Sequence, residues 1–216
     1  MTNIKPIDAP GYYEGSRPEI QRLIPKNIKT FLDVGCAEGN LALAVKNTTK
    51  CETWGVEPVQ EIALEAKGKL DKVIVATVEE SIDKMPENYF DCITFTDVLE
   101  HLVDPNKVLT EIKCKLSKDG TIVVSLPNVR FKKNISNLVF KKDWKYENEG
   151  ILDRTHLRFF TKISMIRMFE EAGYEVLDIH GINSVTSTLF KVLNFITFNN
   201  IEDMQYVQFA IVAKPI

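Results

Sequence analysis

Asp33-Val34-Gly35-Cys36-Ala37-Glu38-Gly39-Asn40 decides the fold, with Phe31-Leu32 ahead of it and Leu41-Ala42-Leu43-Ala44-Val45 behind. The leading apolar pair reads as the end of a buried strand and the trailing run as a helix, so the glycines occupy a strand-to-helix turn. Such a turn sets backbone N–H groups against a ligand at a helix start. Glu57 follows the next strand-like run, Thr53-Trp54-Gly55-Val56, where a carboxylate can accept hydrogen bonds from both hydroxyls of a ribose. The combination predicts a nucleoside site. Its residues are Asp33, Gly35, Cys36, Ala37 and Gly39 in the turn, with Glu57 and the adjoining Pro58 beyond the second strand. An ordinary strand-to-helix turn is the plain alternative, and Glu57 at the right distance argues against it.

Outward from this turn, short runs rich in β-branched and aromatic residues alternate with helical runs. Strands are expected at Thr30–Val34, Thr53–Glu57, Lys72–Ala76, Phe90–Thr96 and Thr121–Leu126. They show little polar alternation, as strands buried on both faces should. Helices are expected at Asn40–Lys46, Val59–Lys69 and Asn106–Leu116, the last opened by Asp104-Pro105. The pattern predicts an α/β doubly wound, mostly parallel sheet with ligands at the carboxyl ends of its strands. A helix at Lys162–Ala172 stops at Gly173, and strands at Glu175–His180 and Tyr206–Ala213 complete a seven-stranded sheet with an antiparallel edge. The whole of 1–216 reads as one domain, with an N-terminal cap over 1–25 and an insert over 129–161.

Composition bounds the partners. The 216 residues are 44% hydrophobic and 26% charged, with a net charge of −3, so no general field attracts a nucleic-acid backbone. No apolar run of about 18 residues occurs, so no membrane span is expected. Met1-Thr2-Asn3-Ile4-Lys5-Pro6 has no signal-peptide core, and Cys36, Cys51, Cys92 and Cys114 form no Cys-x-x-Cys pair. A cytoplasmic protein with reduced cysteines and no metal site is the expectation. Between Val129 and Arg158, eight basic side chains face four acidic ones, a local +4 that leaves −7 for the remainder. Such an insert is usually a solvated face; beside a site it also suits an anionic substrate. Ser184–Phe198 carries Val185, Leu189, Val192, Leu193 and Ile196 at near-helical spacing. That surface is expected to be covered by a second subunit, making a homodimer, or by the domain's own edge.

The turn lacks the third glycine of a dinucleotide site, and Asp33 would repel a pyrophosphate. An acid there suits a cation-bearing nucleoside such as S-adenosylmethionine (SAM). The turn resembles motif I of the class I SAM-dependent methyltransferases, with Ala37 where a second glycine usually stands. Phe90-Asp91-Cys92-Ile93-Thr94-Phe95-Thr96-Asp97-Val98-Leu99-Glu100-His101-Leu102 resembles that family's fourth-strand segment. Leu116–Thr121 and Leu126-Pro127-Asn128 resemble the segments flanking its fifth strand. The resemblance implies a SAM-dependent enzyme releasing S-adenosyl-L-homocysteine. It places Asp97 and Val98 at the methionine tail, Val78 and Glu79 at the adenine, and Asn128 on the acceptor side. Leu152–Thr161 resembles a signature of bacterial small-molecule methyltransferases, often linked to polysaccharide biosynthesis. That subgroup implies Tyr13 and Arg17 as a cap, and His156 and Arg158 beside the acceptor pocket.

Methyl transfer is an in-line displacement, so the enzyme must chiefly align the nucleophile and exclude water. His101 and His156 are the candidate bases for a hydroxyl acceptor, each weighed against a purely structural role. Glu100 is a second acid–base candidate that more often orients a neighbour. The expected reaction is methyl transfer to oxygen or nitrogen of a small polar acceptor, with anionic, phosphorylated and sugar-containing molecules in view. Three other readings compete: an NAD-dependent oxidoreductase, a non-catalytic SAM-binding partner protein, and a protein methyltransferase. Nucleic-acid methylation fits worst, because the Asn/Asp-Pro-Pro-Tyr segment is absent.

Overall fold

The computed structural model describes residues 15–216. Tyr13 and most of the expected cap lie outside these residues. Seven strands form one sheet: β1 (Thr30–Val34), β2 (Glu52–Glu57), β3 (Lys72–Val75), β4 (Phe90–Thr96), β5 (Leu116–Pro127), β6 (Tyr174–Ser184) and β7 (Tyr206–Pro215). Their order is β3-β2-β1-β4-β5-β7-β6. The first five run parallel, and β7 is antiparallel to both of its neighbours. The antiparallel strand is therefore the penultimate one, inserted between β5 and the edge strand β6.

Helices α1 (Pro18–Gln21), α2 (Asn40–Thr49), α3 (Gln60–Lys67), α4 (Val78–Ser81), α5 (Pro105–Ile112), α6 (Lys132–Ser136), α7 (Lys162–Glu171) and α8 (Thr188–Ile196) complete the fold. The strand pleat divides the core in two. Leu32, Val34, Ile93, Phe95, Ile122 and Val124 pack with α4, α5 and α7 on one face. Phe31, Cys92 and Val123, their chain neighbours, pack with α1, α2 and α3 on the other. This is the period-two side-chain alternation of a strand buried on both faces, which explains why these segments read as continuous apolar runs.

The helix starts follow local chemistry. Asp104 caps α5 through a hydrogen bond from the Lys107 N–H at 3.0 Å, and Pro105 needs no N–H partner at that position. Thr161 and Ser164 cap α7 reciprocally. That cap fixes where the stretch before α7 must lie. Val129 donates its N–H to the Phe160 carbonyl at 2.9 Å, while Leu157 and Arg158 donate theirs to the Glu100 carbonyl at 2.8 and 3.1 Å. The end of the insert thus folds back over the carboxyl ends of β4 and β5.

Candidate active site

The β1–α2 turn carries positive φ at Gly35 (70°), Ala37 (50°) and Gly39 (79°). A Cβ at Gly35 would stand 2.5 Å from Val98 Cγ2, so glycine is required there by both backbone and packing. Glu57 closes the turn from below: its carboxylate accepts the Ala37 N–H at 3.1 Å and the Val59 N–H at 2.9 Å. Burial raises its pKa, and those two N–H bonds oppose the rise. Asp33 is almost wholly buried and accepts the Thr94 hydroxyl at 2.7 Å. Burial pushes its carboxyl up to about 7, with Thr94 and the Arg17 charge pulling down and Glu57 pushing further up. Cys36 is a buried filler against Gly55, its thiol pushed well up by burial. Pro58 is half-buried, Val78 is buried at the start of α4, and Glu79 is exposed. Thr77 spends its side chain capping α4.

The next constellation lies at the ends of β4 and β5. Asp97, at φ 57°, pairs with Arg17 and accepts hydrogen bonds from the Ser125 hydroxyl and the Gln208 amide, both at 3.1 Å. Arg17 also donates to Ser125 and to Gln208 at 3.2 and 3.3 Å. Ser125 and Gln208 were not legible in the sequence, because each is a single polar residue in an apolar run, Ile122–Leu126 and Val207–Ala213.

Beyond Asp97, the chain turns tightly through Leu99–His101. This brings together residues that the sequence presents as rivals. The His101 and His156 rings stand edge to face, 4.7 Å apart. His156 Nε2 is 3.9 Å from Glu100 Oε1, and the two side chains are 7% and 1% exposed. Burial and then the His156 charge lower the His101 pKa. Burial, reinforced by Asp97, drives the Glu100 carboxyl well up. Thr155 and Asp153, which sequence reasoning passed over, support this cluster. Thr155 Oγ1 lies 2.6 Å from Asp153 and 3.1 Å from His101 Nδ1.

Two residues expected on the acceptor side have surroundings of their own. Asn128 is fully buried: its amide donates to the carbonyls of Asp203 and Tyr206 and accepts from the Arg130 N–H. It ties strand ends together and presents no surface to an acceptor. The Arg158 guanidinium donates to the Val103 carbonyl and lines a groove of about 640 Å³ with Asp104, Phe160 and Arg167. That groove contains neither histidine, so Arg158 and His156, two residues apart, face different surroundings. A second groove of about 390 Å³, at the insert, is lined by Lys133, Lys141 and Lys145 and by the acids Asp143 and Glu147.

Residues 12–179 match the methyltransferase-domain family. The chain belongs to that family. It is 32% identical over 169 residues to a ubiquinone biosynthesis O-methyltransferase of Vibrio atlanticus, covering 74% of this chain and 70% of the relative. It is 30% identical over 172 residues to the protein of that name from Aeromonas salmonicida, covering 76% and 71%. A SAM-dependent methyltransferase structure from Archaeoglobus fulgidus superposes with a TM-score of 0.67 at 22% identity, covering 91% of both chains, and shows the same fold.

The protein is a SAM-dependent methyltransferase. The turn fits that cofactor: two acids, Asp33 and Glu57, stand behind it, suiting a sulfonium-bearing nucleoside and opposing a pyrophosphate. The oxidoreductase and non-catalytic readings are overturned by the family match. The polysaccharide-linked subgroup finds no support in the relatives' names, which point to ubiquinone biosynthesis.

Proposed function

We propose that this methyltransferase moves the methyl group of SAM to the oxygen of a small hydroxyl-bearing acceptor, with Glu100, His101 and His156 managing the acceptor's proton. The observation that carries the reading is the 4.7 Å pairing of the two imidazoles at the carboxyl end of β4, against a buried carboxylate. An amine can enter such a reaction already neutral and needs no base; a hydroxyl benefits from one. The O-methyltransferase names of the relatives support oxygen as the methylated atom.

When bound, SAM supplies a methyl carbon activated by its sulfonium. Gly35 and Gly39 let the turn backbone approach the methionine part, and Glu57 takes the ribose hydroxyls. Val78, with Pro58, borders the adenosine, and Arg17 and Asp97 close the methionine end. The acceptor oxygen gives up its proton to the histidine cluster and takes the methyl, leaving a neutral thioether. The local +4 of the insert favours an anionic acceptor. The exposed face of α8 supports self-association through that helix.

A panel of phenols, catechols and hydroxylated sugars, each with and without a carboxylate or phosphate, tests the reading. Methylated product is identified by mass and by the atom carrying the methyl. His156→Ala should lower turnover by roughly 10²–10⁴ while leaving SAM affinity nearly unchanged, with His101→Ala as the parallel variant. Methylation of nitrogen alone, or unaltered turnover in both variants, would sink the proposal.

A further inference from the structure

Glu100, His101 and His156 make an arrangement that a base alone does not require. One donor atom from each lies within 4.8 Å of the others. Among the described residues, neither Glu100 oxygen has a hydrogen-bond partner, although the residue is 1% exposed. Its nearest cationic candidate, His156 Nε2 at 3.9 Å, is beyond hydrogen-bonding distance. A buried carboxyl left so is costly to ionise unless a positive charge joins it.

The two rings are held by their outer nitrogens. Thr155 donates its single hydroxyl proton to Asp153 at 2.6 Å, so toward His101 Nδ1, at 3.1 Å, it can only accept. His156 Nδ1 lies 3.1 Å from the Ile151 carbonyl oxygen, which also only accepts. In both neutral rings the proton therefore sits on Nδ1 and the lone pair on Nε2. A carboxylate or carbonyl system fixing the outer nitrogen of each imidazole is the usual support of metal-ligating histidines. Two imidazole lone pairs and a carboxyl group, whose proton a metal ion displaces on binding, thus gather in one place. A single base needs one such ring; a cation uses all three groups.

We propose that Glu100, His101 and His156 bind one divalent first-row transition-metal ion. Two imidazoles and one carboxylate suit Mn²⁺, Fe²⁺, Co²⁺ or Zn²⁺ and leave coordination positions open. Bonds of about 2.0–2.2 Å would set the three ligand atoms roughly 3–3.5 Å apart, so binding draws the side chains together by about an ångström. No metal site is legible from spacing, because His101 and His156 are far apart in the chain and meet only when the insert folds back.

The catalytic consequence rests on the O-methyl-transfer reading. An open position takes the acceptor's hydroxyl oxygen, whose pKa falls on coordination. The proton leaves to solvent. The oxygen lone pair then forms the O–CH₃ bond as the C–S bond breaks, its electron pair remaining on sulfur.

Tag-free, metal-stripped protein titrated with Co²⁺, followed by visible absorption and calorimetry, tests the site without reference to activity. One equivalent should bind and give the ligand-field bands of a nitrogen- and oxygen-ligated ion. Glu100→Gln and His156→Gln should each weaken Co²⁺ binding at least about tenfold, and Thr155→Val, which removes no ligand, should weaken it less. SAM binding serves as the fold control for every variant. Absence of stoichiometric binding by the wild type, or equal binding by the folded variants, would overturn the site; should the variants not fold, the wild-type titration alone decides. The two proposals fail separately. Stoichiometric Co²⁺ without turnover of any hydroxyl acceptor keeps the metal site and removes the O-methyl reading. Turnover indifferent to chelation, with no Co²⁺ bound, removes the metal site and returns the proton to a histidine base.

Discussion

Glu57 illustrates how one side chain serves two purposes. Its oxygens already hold the Ala37 and Val59 N–H groups, yet a carboxylate retains further lone pairs for ligand hydroxyls. Glu57→Ala should therefore weaken SAM binding about tenfold or more, since hydrogen bonds to a charged group contribute about 1.5–3 kcal/mol each. Calorimetry on the folded variant measures this, and an unchanged dissociation constant would remove Glu57 from the site. Asp33 bears on stability instead. Its carboxyl titrates at about 7 in the folded protein, against 3.8 for the unperturbed group. Between those values the folded state holds a proton that the unfolded state has released, so stability falls as pH rises through this window and levels off above about 7. The expected fall is a few kcal/mol. Denaturation of the ligand-free protein across that range should show it, and Asp33→Asn should flatten it.

Among the elements, the β1–α2 turn tolerates little change. Gly35→Ala would force a left-handed residue with a Cβ and would also drive that Cβ into Val98 Cγ2. The backbone part alone costs about 1–2 kcal/mol, so the midpoint of chemical denaturation should drop accordingly. SAM affinity should fall with it, because Val98 belongs to the segment opposite the turn. A wild-type midpoint would show that the turn relaxes around the methyl group. The insert is the other element with consequences. Its end is pinned by the Glu100 carbonyl on one side and the Thr161–Ser164 cap on the other, and that pinning carries His156 to β4.

For the whole molecule, the unsettled surface is α8. Only Phe190 of that helix is buried, while Leu189 is 69% and Phe195 81% exposed. Intramolecular burial therefore does not cover this face among the described residues. Self-association predicts a light-scattering mass above 24.6 kDa at micromolar concentration. Leu189→Asp combined with Phe195→Asp should return the monomer mass; a monomeric wild type would end the dimer reading. No helix of the described residues is long and apolar enough to cross a membrane.

Strands, turn and sheet class were readable from the chain because buried parallel strands and a glycine-bearing turn are local patterns. The expected bounds of β1 and β4 coincide with those observed, and most other strands and helices begin or end within a few residues of expectation. β5 begins five residues earlier than expected, at Leu116, because backbone pairing with β4 extends past Gly120 into a segment whose residues alone read as a turn. Gly35, Glu57, Asp97 and His101 were nameable for the same local reason, and His156 through the family resemblance of its segment. Their relations were not. Whether Asn128 faces solvent or backbone, whether Arg158 shares a pocket with His156, and whether Glu100 has a partner depend on contacts between residues tens of positions apart. Such contacts are set by packing of the insert on the strand ends, where a side chain's neighbours come from other elements. Local chemistry thus determined the scaffold and the residue types at its rim; tertiary packing decided which of them meet, because burial and hydrogen bonding are properties of the assembled sheet rather than of any segment.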